Sequence, residues 1–260
     1  SAVFVITPNG TGVAPLTTSS EEIRRLLYQW HTTLDASAQA LATGRIPETL
    51  AERGRRVLGA LYNALVLPIS SMLVGCLHVV VVPYGPIHGV PFSALFDGRK
   101  YMAESLEVSV APSLEVLRVS RERATHRAGQ PLTALIVAHS DGGRLPSVVS
   151  EARAVASLLN GHCLLEDEAT RDAIVRAASG HSIVHLAAHG EARLDNPTFA
   201  YVKLADGPLS VLDVFNLELD GAMVTLSACE TGQSVVTGGD ELVGLSRGFL
   251  YAGASTLVQS

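Results

Sequence analysis

Apolar positions recur at helical intervals through the first quarter of the chain. Ile23, Leu26, Leu27, Trp30 and Leu34 lay one stripe along a helix predicted over residues 20–42, and Ser19 with Glu22 has capping-box spacing at its start. A second helix is expected from Pro47, which suits a first helical position; Leu50, Val57, Leu58, Leu61, Tyr62 and Leu65 form its buried face and Pro68 stops it. The period then changes. HVVVV, residues 78–82, is a β-branched block closed by Pro83 and the turn-rich PYGPIHGVPF, and a weaker strand is expected near residues 106–110.

SRERATHRAGQ, residues 120–130, is the most polar stretch and ends just before Pro131, so it is the expected linker. Beyond it strand and helix patterns alternate. LTALIVA (132–138), CLLE (163–166), SIVHLAA (182–188), AMVTLSA (222–228) and STLV (255–258) read as strands. SEARAVASLLNG (150–161, stopped by Gly161), EATRDAIVRAASG (168–180), a short segment near 210–217 and residues 239–252 read as helices, with a loop between 189 and 209. Such alternation implies right-handed crossovers and a mostly parallel sheet covered on both faces. The expected organisation is an N-terminal helical segment (1–70), a strand-turn extension and linker (71–130) and an α/β core (131–260).

Composition narrows the function classes. A chain of 260 residues that is 47% hydrophobic can fill a substantial core. Its net charge is −6, and no Lys/Arg run interleaved with aromatics occurs, so direct nucleic-acid binding is not expected. The three cysteines, Cys76, Cys163 and Cys229, show no paired spacing, and no secretory pattern opens the chain; a reducing, cytoplasmic setting is expected. Residues 57–96 carry no Asp, Glu, Lys or Arg, but Pro68, Ser70, Ser71, Gly75, His78 and Pro83 interrupt them, so buried core rather than a membrane span is expected.

Two of the predicted strands end on reactive side chains. SIVHLAAHG finishes on His189 and Gly190, and MVTLSACETG passes through Cys229. Sites in open parallel sheets assemble at the carboxyl ends of strands. Were the two strands neighbours, about 5 Å apart, the imidazole could take the thiol proton, and the backbone N–H groups of Gly190 and Cys229 could face a developing oxyanion. Cysteine is also among the residue types most often buried for packing, so spacing alone leaves a purely structural account open.

Competing constellations are weaker. His185 and His189 have the spacing of a zinc-binding helix, but Leu186 replaces the glutamate, and on a strand the two rings would stand about 13 Å apart, so no metal site is expected. GLSRG, 244–248, has the G-x-S-x-G pattern, yet a helical apolar stripe runs through Ser246, making it an ordinary helix residue. Cys76 and Cys163 read as structural, and no cofactor motif is present.

HLAAHG and LSACETG, together with NP (196–197), LADGPLS (204–210), GGDELVGLSRGFLYAGAS (238–255) and VVPYGPIHGVPFSAL (81–95), closely resemble the CHAT domain of caspase-like and separase-like cysteine peptidases. The likeness runs from about Leu50 to the last residue. It implies a caspase-like three-layer α/β sandwich, with a mostly parallel sheet flanked by helices and preceded by a helical N-terminal segment. It assigns His189 as general base, Cys229 as nucleophile, and the Gly190 and Cys229 amides as oxyanion hole, for peptide hydrolysis through a thioester. Members often follow TPR repeats or act in multi-component immune effectors, so the resemblance implies a protein substrate, latency until a partner or upstream module acts, and a possible TPR neighbour. A catalytically silent scaffold is the alternative. Tyr84 departs from the polar residue often found at its place. The family usually continues past LVQS into a cleft-lining segment, so the core is expected to be truncated at its C-terminus.

Overall fold

A computed structural model describes residues 1–191, 200–228 and 243–259; the chain divides into two compact units, one spanning Ser1–Ser113 and the other beginning at Leu114. The first unit opens with strands where none was expected. β1 (Ala2–Thr7) and β2 (Gly10–Pro15) form an antiparallel hairpin in which Thr7 lies opposite Gly10. The turn is Pro8-Asn9, and Gly10 closes it at φ +140, outside the range of most L-residues.

α1 (Ser20–Ala42) begins as its cap predicts, with Ser19 Oγ accepting the Glu22 N–H at 3.1 Å. α2 (Glu48–Leu65) follows with Pro47 as its N-cap, so the helix starts one position later than expected. Ile23, Leu26 and Leu27 of α1 meet Val57, Leu58 and Leu61 of α2, and the set continues into Val90, Phe92 and Leu95. The uncharged stretch at 57–96 therefore supplies much of this unit's core. Among the described residues no single helix is long and apolar enough to cross a membrane. β3 (His78–Val81) and β4 (Glu107–Val110) pair in parallel to complete the unit.

The second unit begins with α3 (Leu114–Arg127), where the polar composition suggested a linker. Its apolar stripe is poor and Ser120 is its one buried residue, so packing does not hold it. Arginines do. Arg123 Nη1 donates to the Leu250 carbonyl at 2.7 Å, and Arg127 donates to the carbonyls of Asp220 (3.0 Å) and Gly180 (2.7 Å). Asp220 and Gly180 lie in turns and Leu250 in the last turn of a helix, where main-chain partners are few, and a guanidinium satisfies such carbonyls with a charge-assisted bond. Arg118 pairs with Glu115 and Glu122 on the outer face.

The alternating pattern then appears as predicted. β5 (Ala134–His139), α4 (Val148–Leu159), β6 (His162–Leu165), α5 (Arg171–Ala178) and β7 (Ile183–Ala188) follow in turn. α4 is ended by Asn160 in the left-handed region (φ +49), not by Gly161. Gly161 serves a different need: a Cβ there would run into Ile136 Cδ1 and lie 3.0 Å from the Ala134 carbonyl, so the close return onto β5 disfavours a side chain. In place of the expected long loop, β8 (Gly190–Glu191), β9 (Tyr201–Leu204) and β10 (Gly207–Ser210) make a small antiparallel sheet. α6 (Val211–Val214), β11 (Met223–Ser227), α7 (Val243–Tyr251) and β12 (Thr256–Gln259) complete the unit, with Ser246 inside α7 as expected.

The main sheet runs β12-β11-β7-β5-β6, every pairing parallel. Leu135, Val137, Val184, Leu186, Val224 and Leu226 project to one face and pack with α5, α6 and α7 through Ile174, Val214, Leu245 and Phe249. Ala134, Ile136, Ala138 and Ala187 project to the other and meet Val148 and Ala152 of α4. This is the flanked parallel sheet that the alternation required.

One polar cluster sits inside it. His185, 8% exposed, places Nδ1 at 2.6 Å from Thr225 Oγ1 on β11 and Nε2 at 3.1 Å from Glu151 Oε1 on α4, the latter off the line of a hydrogen bond. Burial holds its imidazole below the ordinary histidine value, against the opposing pull of Glu151.

Two outcomes are expected from this core. Leu186, 1% exposed at the middle of the sheet, should cost about 3 kcal/mol on replacement by Ala in urea unfolding, whereas Leu158→Ala at an 84% exposed site should stay within about 0.5 kcal/mol. A buried histidine with a lowered folded-state value gives stability that is full above about pH 6.5 and declines as pH falls through that value. The urea midpoint should therefore drop as the pH is lowered below about 6.5, less steeply in His185→Gln, with a contribution remaining from His31, which burial lowers in the same way.

Candidate functional site

The carboxyl edge of the main sheet is where the sequence-derived residues gather. β7 and β11 are neighbours, with Ala187 opposite Ser227, so the two strands that end at His189 and approach Cys229 leave the sheet side by side. His189 follows β7 directly and is half-buried; Gly190, buried, opens β8. Cys229 lies outside the described residues, as do Asn196, Pro197, Gly238 and Gly239 of the motif blocks. Its N-terminal neighbour Ala228 is described, buried at 6% exposure.

Gly190 and Ala228 are in close backbone contact. A Cβ built on Gly190 would fall 2.8 Å from the Ala228 carbonyl oxygen and 3.1 Å from Ala228 Cβ. No side chain fits there, which explains glycine at 190 by close approach of two chains and not by an unusual dihedral angle.

The small sheet sets the orientation of the 189–190 peptide. Gly190 lies opposite Val202, and the Lys203 N–H donates to the His189 carbonyl at 2.8 Å. In an antiparallel ladder that bond makes Gly190–Val202 a non-hydrogen-bonded pair, so the ladder leaves the Gly190 N–H unused. Glu191, next along β8, accepts a short hydrogen bond from the Tyr201 hydroxyl.

Charged groups that the sequence reading passed over crowd the same edge. Asp141, two residues past the end of β5, is bound by Lys203 Nζ at 2.6 Å, with Arg144 at 3.4 Å. Lys203 holds the Asp141 carboxyl below its ordinary value, with smaller help from Arg144 and from the electrostatic influence of His189. Glu166, at the end of β6, accepts the Ser140 N–H at 3.1 Å and approaches His139 Nδ1 at 3.4 Å; its bonds to Ser140 lower its carboxyl. For Asp141 the available signal was an acidic residue followed by two glycines, SDGG, just after the strand predicted at 132–138. Lys203 carried no local signal, because its role comes from pairing across a small sheet.

The other candidates resolve locally. His185 is committed to Thr225 and Glu151 inside the sheet, away from the strand end. Ser246 Oγ accepts from Gln259 Nε2 at 2.7 Å within the α7–β12 junction. Cys163 is partly buried at the start of β6, and desolvation pushes its thiol up, away from the thiolate that nucleophilic chemistry needs.

The family model for the CHAT domain matches residues 55–260. No curated protein matches the chain. A parallel five-stranded sheet flanked by helices, carrying a family match over most of the sequence, leaves one conclusion: the chain belongs to the CHAT domain family, a family of caspase-like cysteine peptidases.

Proposed function

We propose that this chain is a cysteine endopeptidase in which Cys229 is the nucleophile and His189 the general base. The observation that carries the reading is the contact of Gly190 with Ala228. Cys229 is the next residue after Ala228, and consecutive Cα atoms are about 3.8 Å apart, so the nucleophile's main chain starts from the peptide that touches the His189–Gly190 segment. The Gly190 N–H, unused by the β8–β9 ladder, is a donor for the oxyanion, and the Cys229 N–H is its proposed companion.

The steps follow from those roles. His189 takes the proton from Cys229 Sγ, and the thiolate adds to the peptide carbonyl carbon, placing the negative charge on the carbonyl oxygen facing the two amides. The C–N bond breaks as His189 passes its proton to the leaving amine, which leaves a thioester. Water, deprotonated by His189, then adds to the thioester, and collapse releases the acid and restores the thiol. The reading extends to a specific protein substrate and to a resting form that an upstream module or partner releases. The segments that flank both residues, 192–199 and 229–242, lie outside the described residues.

Cys229→Ala and His189→Ala should each lower cleavage of a verified substrate by about 1,000-fold or more with an unchanged melting temperature. A peptidyl acyloxymethyl ketone should add once, at Cys229, by intact mass and peptide mapping. Normal turnover by Cys229→Ala would end the proposal. Comparing turnover by the isolated chain with turnover in its full complex tests latency, and equal rates would remove that part alone.

A further inference from the structure

Asp141 occupies a place that backbone energetics would give to glycine. It sits at φ +55, ahead of Gly142 at φ +67 and Gly143 at φ +86, so three successive residues adopt the left-handed region. An L-residue there is less favourable than glycine, though Asp tolerates the region better than most. The turn is nevertheless tightly specified: Ser140 Oγ accepts the Gly143 N–H at 3.1 Å, the Ser140 carbonyl accepts the Leu145 N–H at 3.0 Å, and the Ser140 N–H is held by Glu166. A carboxylate is thus maintained at a strained position, its side chain only 11% exposed.

Register shows what it is next to. His139 of β5 lies opposite Ala188 of β7, so Asp141 stands one residue beyond the position across from His189. Lys203 joins the two. Its N–H binds the His189 carbonyl at 2.8 Å and its Nζ binds Asp141 Oδ1 at 2.6 Å, so one residue of β9 fixes both the histidine backbone and the carboxylate.

We infer that Asp141 is a positioning residue for His189, its anchored carboxylate stabilising the imidazolium that forms when His189 takes the Cys229 proton. This rests on the dyad proposed above. The proton moves from Sγ to the imidazole and no further; Asp141 stays ionised, as its bond to Lys203 ensures. The charged and titratable groups around this point are Asp141 and Arg144 after β5, His139 at the end of β5, Glu166 after β6, Glu191 on β8, and Lys203 and Tyr201 on β9. Of the carboxylates, Glu166 is engaged with Ser140 and Glu191 with Tyr201, whereas Asp141 is tied through Lys203 to the backbone of His189 itself.

The test is the pH profile of iodoacetamide alkylation at Cys229, in the full chain carrying Cys76→Ser and Cys163→Ser so that one thiol reports. Asp141→Asn should move the midpoint upward by about half to one pH unit, which is about 3- to 10-fold slower labelling on the acidic limb. Asp141→Glu should recover part of the rate. Lys203→Met keeps the carboxylate and should label no more slowly than the parent. A role confined to bracing the turn through the ion pair predicts equal upward shifts in Asp141→Asn and Lys203→Met, and that result overturns the inference. An unchanged profile in Asp141→Asn beside an upward shift in His189→Ala overturns it while leaving the dyad standing. No shift in His189→Ala removes the dyad and the inference together.

Discussion

The fit of Gly190 against the Ala228 carbonyl is the constraint on which the site's construction depends. With 2.8 Å between a would-be Cβ and that oxygen, the two chains leaving β7 and β11 run closer than any pair of side-chain-bearing residues could. The parallel pairing of the strands brings the ends together, but a sheet spacing near 4.8 Å alone would let them splay once the ladder stops at Ser227. Glycine lets the approach continue past the ladder, so the segment bearing the histidine stays against the segment leading to the cysteine.

Everything beneath that contact acts to keep the strand ends in register. Val184, Leu186, Val224 and Leu226 are locked on one face by α5, α6 and α7, while Ala187 and Ile136 are locked on the other by α4. A one-residue slip of β7 would exchange its two faces, turning His185 away from Thr225 and Glu151 and into the apolar layer of Leu245 and Phe249. The buried histidine thus opposes misregistry, since its polar partners exist on one side only. α3 contributes at the opposite edge, where Arg123 binds a carbonyl of the last turn of α7 and Arg127 binds two turn carbonyls.

The repeating core was legible because each of its elements carries a local signature. β5, β7 and β11 are mostly apolar runs, α4 and α5 are amphipathic, and the turns between them carry glycine or a capping residue such as Thr170. Elements held by partners distant in sequence were not legible. α3 has no clear apolar stripe and is defined by arginine bonds to carbonyls up to 127 positions away, so its composition reads as linker. β8, β9 and β10 have two to four residues each, too few for period-two alternation to stand out. The β1–β2 hairpin buries Val5 and Ala14 but exposes Phe4, Ile6 and Val13, so apolar residues fall on both faces and the sequence shows no alternation there; the Asn9-Gly10 pair at its turn was the local signal. For the site, His189, Gly190 and Cys229 could be named because each follows an apolar run; Asp141 carried only the weaker SDGG signal, and Lys203 none, its meaning arising from contacts between strands.

That asymmetry follows from how such a site is assembled. A parallel sheet delivers strand ends to one edge but does not orient the peptide groups that emerge from them. Here the antiparallel β8–β9 pair does so: the Lys203 N–H fixes the His189 carbonyl, and the same ladder pattern turns the Gly190 N–H away from its neighbour. Because Val202, Leu204 and Leu209 are buried in the layer that packs β7, the small sheet is an extension of the core and not a loose flap. Lys203 then carries that rigidity to Asp141 through a side chain 40% exposed, the most solvent-accessible link in the chain of contacts. The backbone part of the site is accordingly held by hydrophobic packing that salt does not weaken, whereas the Asp141–Lys203 bond, partly in water, is the component that ionic strength reaches first.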